Sequence, residues 1–154
     1  MSLQKTGDVH AEIDADVVPS IGVDISNLPL DKKADGNIQI KEVGGAMMPL
    51  WPTYLKGAVA LIYVVDIADA SQVAASATAF HHLCTLPAMK DKPTLLLWNK
   101  TDAMCALPDA ETFAFDAKRA EIALGDNLTT MRTSALDGSN THAVMTWMRG
   151  VYGV

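Results

Sequence analysis

The sequence predicts an α/β fold, with a sheet of mixed strand direction and helices on both of its faces. Apolar, strand-like runs alternate with segments of helical composition, which is typical of βαβ units. Before this alternation, two strand-like runs flank a short polar segment and predict a hairpin. The chain of 154 residues has the length of one domain, and its hydrophobic fraction of 49% is enough for a sizeable core.

The strands are predicted in two groups. The hairpin has a strand at 21–28, a polar turn with a glycine at 30–36, and an alternating strand at 37–43. Three further strands follow from continuous apolar runs, at 58–66, 93–98 and 128–133. The run at 58–66 is rich in β-branched residues, so we expect a strand that is buried on both faces.

The helices are predicted from composition and from their end signals, at 69–86, 108–124 and 138–152. Asp69 or Ser71 is suited to cap the first of them, and Pro87 ends it. The second has a proline and acidic residues in its first turn and Gly125 after its end.

Composition excludes several classes of protein. A net charge of −6 and a pI near 5.0 argue against a nucleic-acid binder. Cys84 and Cys105 are the two cysteines, and without a CxxC motif or a secretory signal we expect reduced thiols. The longest apolar stretch, 58–65, is far shorter than the roughly 20 residues of a transmembrane helix. Met1 is not followed by glycine, so no myristoylation is signalled. We therefore expect a cytoplasmic protein, either free or peripheral at a membrane.

The motif Asn99-Lys100-Thr101-Asp102 follows the predicted strand at 93–98. A carboxylate such as that of Asp102 can accept two parallel hydrogen bonds from the N1–H and the exocyclic amine of guanine. Adenine lacks this pair of donors, so one carboxylate can give base specificity. The Lys100 stem would lie along the ring, and Asn99 would tie the loop together.

A second motif of small residues, Thr133-Ser134-Ala135, follows the predicted strand at 128–133. Ser134 and Ala135 could present a backbone N–H to the guanine carbonyl. Each motif alone is weak, but their order, each after a strand, is fairly specific for a guanine site.

Four further segments make the chain resemble the Arf-like branch of the small GTPases, over residues 19–148. They are Pro-Ser-Ile-Gly at 19–22, Glu-Val-Gly-Gly at 42–45, Pro-Leu-Trp at 49–51 with Tyr54, and Val-Val-Asp at 64–66 with Asp69. The first two are similar to the switch I and switch II signatures of that family. The resemblance implies a Ras/Arf-like fold of the P-loop NTPase type, GTP and GDP as ligands, and a regulatory role in intracellular trafficking.

The resemblance also implies roles for individual residues. Ser20 matches the switch I threonine whose hydroxyl binds Mg²⁺ and whose backbone senses the γ-phosphate. Gly45 matches a residue whose N–H contacts the γ-phosphate, and a glycine there permits close approach and unusual φ values. Glu42 stands where an aspartate holds Mg²⁺ through water, and its extra methylene moves the carboxylate by about 1.5 Å.

An effector surface is implied at Ile21, Trp51 and Tyr54, next to the two switch segments. For Trp51 a second interpretation is equally open, that of a packing anchor beneath switch II.

Two departures from the family pattern affect turnover and phosphate binding. Ala46 occupies the position of the glutamine that orients the attacking water, so we expect weak or no intrinsic hydrolysis, and whether the chain is an enzyme stays open. No Gly-x-x-x-x-Gly-Lys-Ser/Thr is present in the 18 residues before Pro19, although that loop binds the α- and β-phosphates in this family. We therefore expect residues 1–18 to be a remnant of the first helix and a polar loop, and residues 19–154 to be the Arf-like domain.

The absent motif leaves two explanations open, and three functions. Either the chain is an N-terminally truncated version of a longer protein, or another segment replaces the first, central strand. The chain is then a guanine-nucleotide-binding switch or a pseudo-GTPase that acts as an interaction module without tight nucleotide binding. A third hypothesis is a different α/β enzyme in which the Asn-Lys-x-Asp motif is a coincidence.

Overall fold

The computed structural model describes residues 20–29, 37–103 and 123–153. Its first two strands, β1 (Val23–Pro29) and β2 (Asn37–Val43), form an antiparallel pair in which Val23 lies opposite Val43. Both predicted hairpin strands are therefore confirmed, although β1 begins two residues later than expected. The predicted turn at 30–36 lies outside the described residues, as does the predicted boundary between residues 18 and 19.

The other three strands form a parallel sheet in the order β3-β4-β5. They are β3 (Leu61–Asp66), β4 (Thr94–Asn99) and β5 (Leu128–Arg132). Leu61 lies opposite Thr94, which in turn lies opposite Leu128, so the carboxyl ends of the strands share one edge. The α/β fold class is thus confirmed. Within the described ranges, the antiparallel pair and the parallel sheet are two separate sheets.

Three α-helices are described: α1 (Trp51–Leu55), α2 (Ala70–Cys84) and α3 (Thr141–Tyr152). Helix α2 links β3 to β4, and Asp69 caps it by accepting the Ser71 N–H at 3.1 Å. Its buried residues Val73, Ala77 and Phe80 recur at helical spacing, so one face packs on the sheet. The predicted helix at 108–124 lies almost wholly outside the described residues.

Strand β3 starts later than predicted and is buried on one face only. The pairing of β3 with β4 begins where the Leu61 N–H donates to the Pro93 carbonyl at 3.0 Å. It begins there because Thr94, the partner of Leu61, is the first residue of β4. Tyr63 and Val65 are buried, whereas Val64 is 55% exposed. The prediction of burial on both faces is wrong for β3, since successive side chains point to opposite faces and β3 is at the edge of the described parallel strands.

The core is centred between β3, β4 and α2. The Tyr63 ring lies 4.8 Å from the Phe80 ring and 6.1 Å from that of Trp51, measured between centroids. The Tyr63 hydroxyl donates to the Ser76 carbonyl at 2.9 Å, and burial raises the pKa of Tyr63. Burial likewise raises the pKa of the Cys84 thiol, to about 11. This packed layer supports the loops at the carboxyl edge of the sheet.

None of the helices in the described part of the chain is long and apolar enough to cross a membrane.

Candidate functional site

The segment Asn99–Asp102 leaves β4 at the carboxyl edge of the parallel sheet and turns at once. Asn99 is the last strand residue and lies opposite Asp66 of β3. Lys100 then adopts a left-handed backbone with φ of +68°, and its carbonyl accepts the Ala103 N–H at 3.1 Å. A lysine in this conformation is strained and is retained where the surroundings fix the turn.

The second predicted segment, Thr133–Ala135, leaves the neighbouring strand β5 at the same edge. The Thr133 carbonyl accepts two hydrogen bonds from Thr101, from its N–H at 3.2 Å and its hydroxyl at 3.0 Å. The Ala135 N–H donates to Oδ1 of Asn99 at 3.2 Å. The structure therefore brings the two predicted motifs together, as expected for loops that follow adjacent parallel strands.

Ser134 connects the two loops from a fully buried position. Its hydroxyl donates to Oδ1 of Asp102 at 2.5 Å and accepts the Asp137 N–H at 3.1 Å. The Ser134 hydroxyl thus both donates and accepts a hydrogen bond, so it fixes the orientation of the Asp102 carboxylate from its buried side. Oδ2 of Asp102 has no hydrogen-bond partner among the described residues, and Asp102 as a whole is exposed. The arrangement leaves one carboxylate oxygen available to a ligand.

Lys100 forms an ion pair at this edge, with its Nζ 2.8 Å from Oδ2 of Asp66. That hydrogen bond, and then the charge of Asp66, raise the pKa of Lys100, with smaller contributions from Asp102 and Asp69. The ammonium is therefore charged at neutral pH and lies in an acidic environment.

The second group of predicted residues lies around the ends of β1 and β2. The Ser20 hydroxyl donates to Oε1 of Glu42 at 3.2 Å, so the two predicted metal ligands are adjacent and both are exposed. In an octahedral Mg²⁺ site with ligands at 2.0–2.1 Å, neighbouring oxygens are about 2.9 Å apart. Two hard oxygen donors at this separation fit such a cation. Among the described residues, no cluster of three or more His, Cys, Asp or Glu side chains is present.

Gly44, rather than Gly45, is the glycine that close contact requires. A Cβ on Gly44 would lie 1.8 Å from the Ser20 carbonyl oxygen, whereas a Cβ on Gly45 would meet nothing within 4 Å. Gly45 also has no positive φ. In this structure the close approach of residue 20 therefore occurs at Gly44, and the contact of the Gly45 N–H with a γ-phosphate stays a prediction.

Trp51 contacts the same glycine. Its Nε1–H donates to the Gly44 carbonyl at 3.2 Å, and its ring packs edge-on against Tyr63. The structure thus gives Trp51 an internal packing role, which was one of the two interpretations. The other two predicted effector residues differ in exposure: Ile21 is 87% exposed and Tyr54 is partly buried.

Ala46 is exposed in the 3-10 turn Gly45–Leu50. Ala46, Ser20 and Glu42 lie in one region of the structure and the Asn99–Asp102 loop in another. Among the described residues, no hydrogen bond joins the two regions.

Two residues of the site were not assigned a role from the sequence. Asp66 holds Lys100, and the Thr133 carbonyl holds Thr101. The role of Asp66 could have been predicted, because the sequence places a carboxylate at the end of one strand and a lysine just after the end of the next. Backbone carbonyls such as that of Thr133 leave no signal in a sequence.

Comparisons with known proteins agree with this geometry. Residues 7–151 match the profile of the ADP-ribosylation factor family. The chain is similar to human ADP-ribosylation factor-like protein 16, with 27% identity over 87% of this chain and 66% of that protein. It is also similar to ADP-ribosylation factor-like protein 8c of Arabidopsis thaliana, with 29% identity over 86% of this chain and 71% of that protein. The match therefore spans just under two thirds of the length of the human relative.

A solved structure shows the same fold. The Arl6 BBS3 small GTPase from Trypanosoma brucei, determined with the bound nucleotide analogue GppNp, superposes with a TM-score of 0.75. The match covers 91% of this chain and 84% of that one, at 19% identity. The family profile matches nearly the whole chain. The strand order of the chain and the positions of its loops are consistent with that family. The chain belongs to the ADP-ribosylation factor family of small GTPases.

Proposed function

We propose that this chain binds guanine nucleotides and acts as an Arf-type regulatory switch. The observation that carries the proposal is the pairing of Asp102 with Ser134, which joins the two predicted base-reading loops at one edge of the sheet. Family membership supports the same function.

Base recognition follows from the free side of the Asp102 carboxylate. Because Ser134 fixes Oδ1, the carboxylate has a defined plane into which guanine can donate its N1–H and its exocyclic amine. The Ala135 N–H is the donor suited to the guanine carbonyl. It is engaged by Asn99 at 3.2 Å in this structure, so binding requires it to be shared or exchanged. Lys100 offers its stem to one face of the ring.

Phosphate and metal binding are assigned to the other end of the site. Ser20 and Glu42 would hold Mg²⁺, which when bound supplies charge neutralisation for the phosphates. The Gly45 N–H would donate to the γ-phosphate, and the open space around Gly45 leaves room for that approach. The Ser20 hydroxyl donates its proton to Glu42 in this structure, and its oxygen keeps lone pairs that a cation could use.

Slow turnover is part of the proposal. The Ala46 methyl group can neither accept nor donate a hydrogen bond, so this side chain cannot orient an attacking water. The state of the switch would then depend on partners that promote exchange or hydrolysis. We infer an effector surface at Ile21, Trp51 and Tyr54, and a cytoplasmic or peripheral membrane location.

A second candidate is an interaction module that binds nucleotide weakly or not at all. It is favoured by the large apolar side chains exposed beside Gly44 and Trp51, since Ile21 is 87% exposed and Met48 and Leu50 are each 47% exposed. Such a surface fits a protein partner whether or not a nucleotide is bound.

Calorimetric titration of the chain with GDP and with ADP separates the two candidates. The switch predicts binding of GDP and a clear preference for it over ADP, with and without Mg²⁺. Asp126→Asn is the control for carboxylate-to-amide changes in this titration. It should keep the preference for GDP, because Asp126 is exposed in the 3-10 turn Gly125–Asn127, away from both loops. Equal and weak binding of both nucleotides would favour the interaction module.

A further inference from the structure

The end of β3 carries a carboxylate to which the base-recognition proposal assigns no role. Asp66 is the last residue of β3 and lies opposite Asn99, the residue before Lys100. The ladder continues past this pair, because the Ile67 N–H donates to the Asn99 carbonyl at 3.1 Å. The backbones at Asp66 and Asn99 are therefore fixed relative to each other.

Both oxygens of Asp66 are engaged. Oδ1 accepts the Ala68 N–H at 2.9 Å, which fixes the side chain in a turn. Oδ2 accepts Lys100 Nζ at 2.8 Å. A carboxylate held at one oxygen by its own turn presents the other in a constant position, so Lys100 is bound by a preorganised partner.

The ion pair is too exposed to be explained by stability. The side chain of Lys100 is 50% exposed and that of Asp66 is 38% exposed. Solvent-exposed pairs of this kind contribute little to the free energy of folding. What the contact does is fix the position of the Lys100 ammonium.

Lys100 has a competing partner close by. Asp102 is two residues further along the same turn, so its Cα lies at most about 7 Å from that of Lys100, and its charge already acts on the ammonium. A lysine released from Asp66 could reach the Asp102 carboxylate. It would then neutralise and occupy the oxygen that is free in this structure.

We propose that Asp66 is a positioning residue that holds the Lys100 ammonium away from Asp102, so that Asp102 remains free to read the guanine base. This inference rests on the proposed function. It makes base discrimination depend on a residue that does not itself touch the base.

The test compares the affinities of GDP and inosine diphosphate, which lacks the exocyclic amine, for the wild type and for Asp66→Asn. Asparagine keeps the hydrogen bond to Ala68 but loses the charge that attracts Lys100. The ratio of the two affinities is expected to fall about tenfold, the loss of about one charge-assisted hydrogen bond. Asp69→Asn is the matched control: it removes a carboxylate near Lys100 but retains an N-cap for α2, so the ratio should stay within about twofold.

Removing the lysine distinguishes positioning from a general structural effect. In a Lys100→Met background, Asp66→Asn should leave the GDP-to-inosine-diphosphate ratio unchanged. An unchanged ratio in Asp66→Asn, or an equal fall without Lys100, would overturn the inference while leaving guanine binding intact. A wild type with no preference for GDP over ADP would instead overturn the proposed function, and the inference with it.

Discussion

Replacement of Asp102 by asparagine should exchange the base preference of the site from guanine to xanthine. The Ser134 hydroxyl accepts the Asp137 N–H and directs its own proton to Oδ1 of Asp102. In Asp102→Asn, the amide oxygen keeps this hydrogen bond, so the amide NH₂ group occupies the position of the free Oδ2. A donor then faces the exocyclic amine of guanine.

The expected loss of binding free energy follows from the loss of the hydrogen bond between the exocyclic amine of guanine and Asp102. An unpaired donor at a desolvated contact costs about 2–3 kcal/mol when the lost partner was charged. The affinity for GDP should therefore fall about 30- to 150-fold. Xanthine has a carbonyl in place of the exocyclic amine, so it accepts from the new NH₂ group, and the affinity for xanthosine diphosphate should rise.

Competition binding with GDP and xanthosine diphosphate measures the exchange directly. Ser134→Ala combined with Asp102→Asn is an informative companion, because without the hydroxyl the amide is free to turn and the exchange should be incomplete. If Asp102→Asn leaves the guanine-to-xanthine ratio where it is in the wild type, this loop does not read the base.

Three further predictions concern the switch region and the core. Gly44→Ala should destabilise the fold by about 1–3 kcal/mol, because its Cβ would lie 1.8 Å from the Ser20 carbonyl oxygen. Gly45→Ala has open space and should cost far less in the same urea unfolding series. Ala46→Gln should raise single-turnover GTP hydrolysis on the order of tenfold by orienting the water, and fast hydrolysis by the unaltered chain would refute the role given to this position. Burial raises the pKa of Cys84 from 9.0 to about 11, so the folded chain retains a proton that the unfolded chain loses. Stability should thus fall by about 2 kcal/mol between about pH 9 and pH 11, and the decrease should be smaller in Cys84→Ala.

Sequence patterns predicted the elements that depend on local chemistry. The alternation at 37–43 corresponds to β2 residue for residue, and the Asp69 cap of α2 was among the two options considered. The two motifs after β4 and β5 were assigned to one guanine site because of their order, each after a predicted strand. Their side chains do meet, through Ser134 and Asp102.

Features set by tertiary contacts were not predictable in the same way. The apolar run at 58–66 does not reveal that Val64 would be exposed, because exposure depends on what covers each face of the sheet. Likewise, two adjacent glycines look alike in sequence. The approach of the Ser20 carbonyl distinguishes Gly44 from Gly45, and that approach is a consequence of how β1 and β2 pair.

The backbone of Gly44 is held on both sides of its Cα. Its N–H donates to the Gly22 carbonyl at 3.1 Å, and its carbonyl, which belongs to the next peptide group, accepts from Trp51 Nε1 at 3.2 Å. Displacement of Gly44 therefore breaks a contact with the entry to β1 and a contact with α1 together. Motion that depends on the simultaneous loss of two bonds is cooperative, and it favours two discrete arrangements over a continuum of intermediate ones. The segment from Gly44 to Trp51 consequently has the mechanical character of a latch, with its release coupled to both of its neighbours.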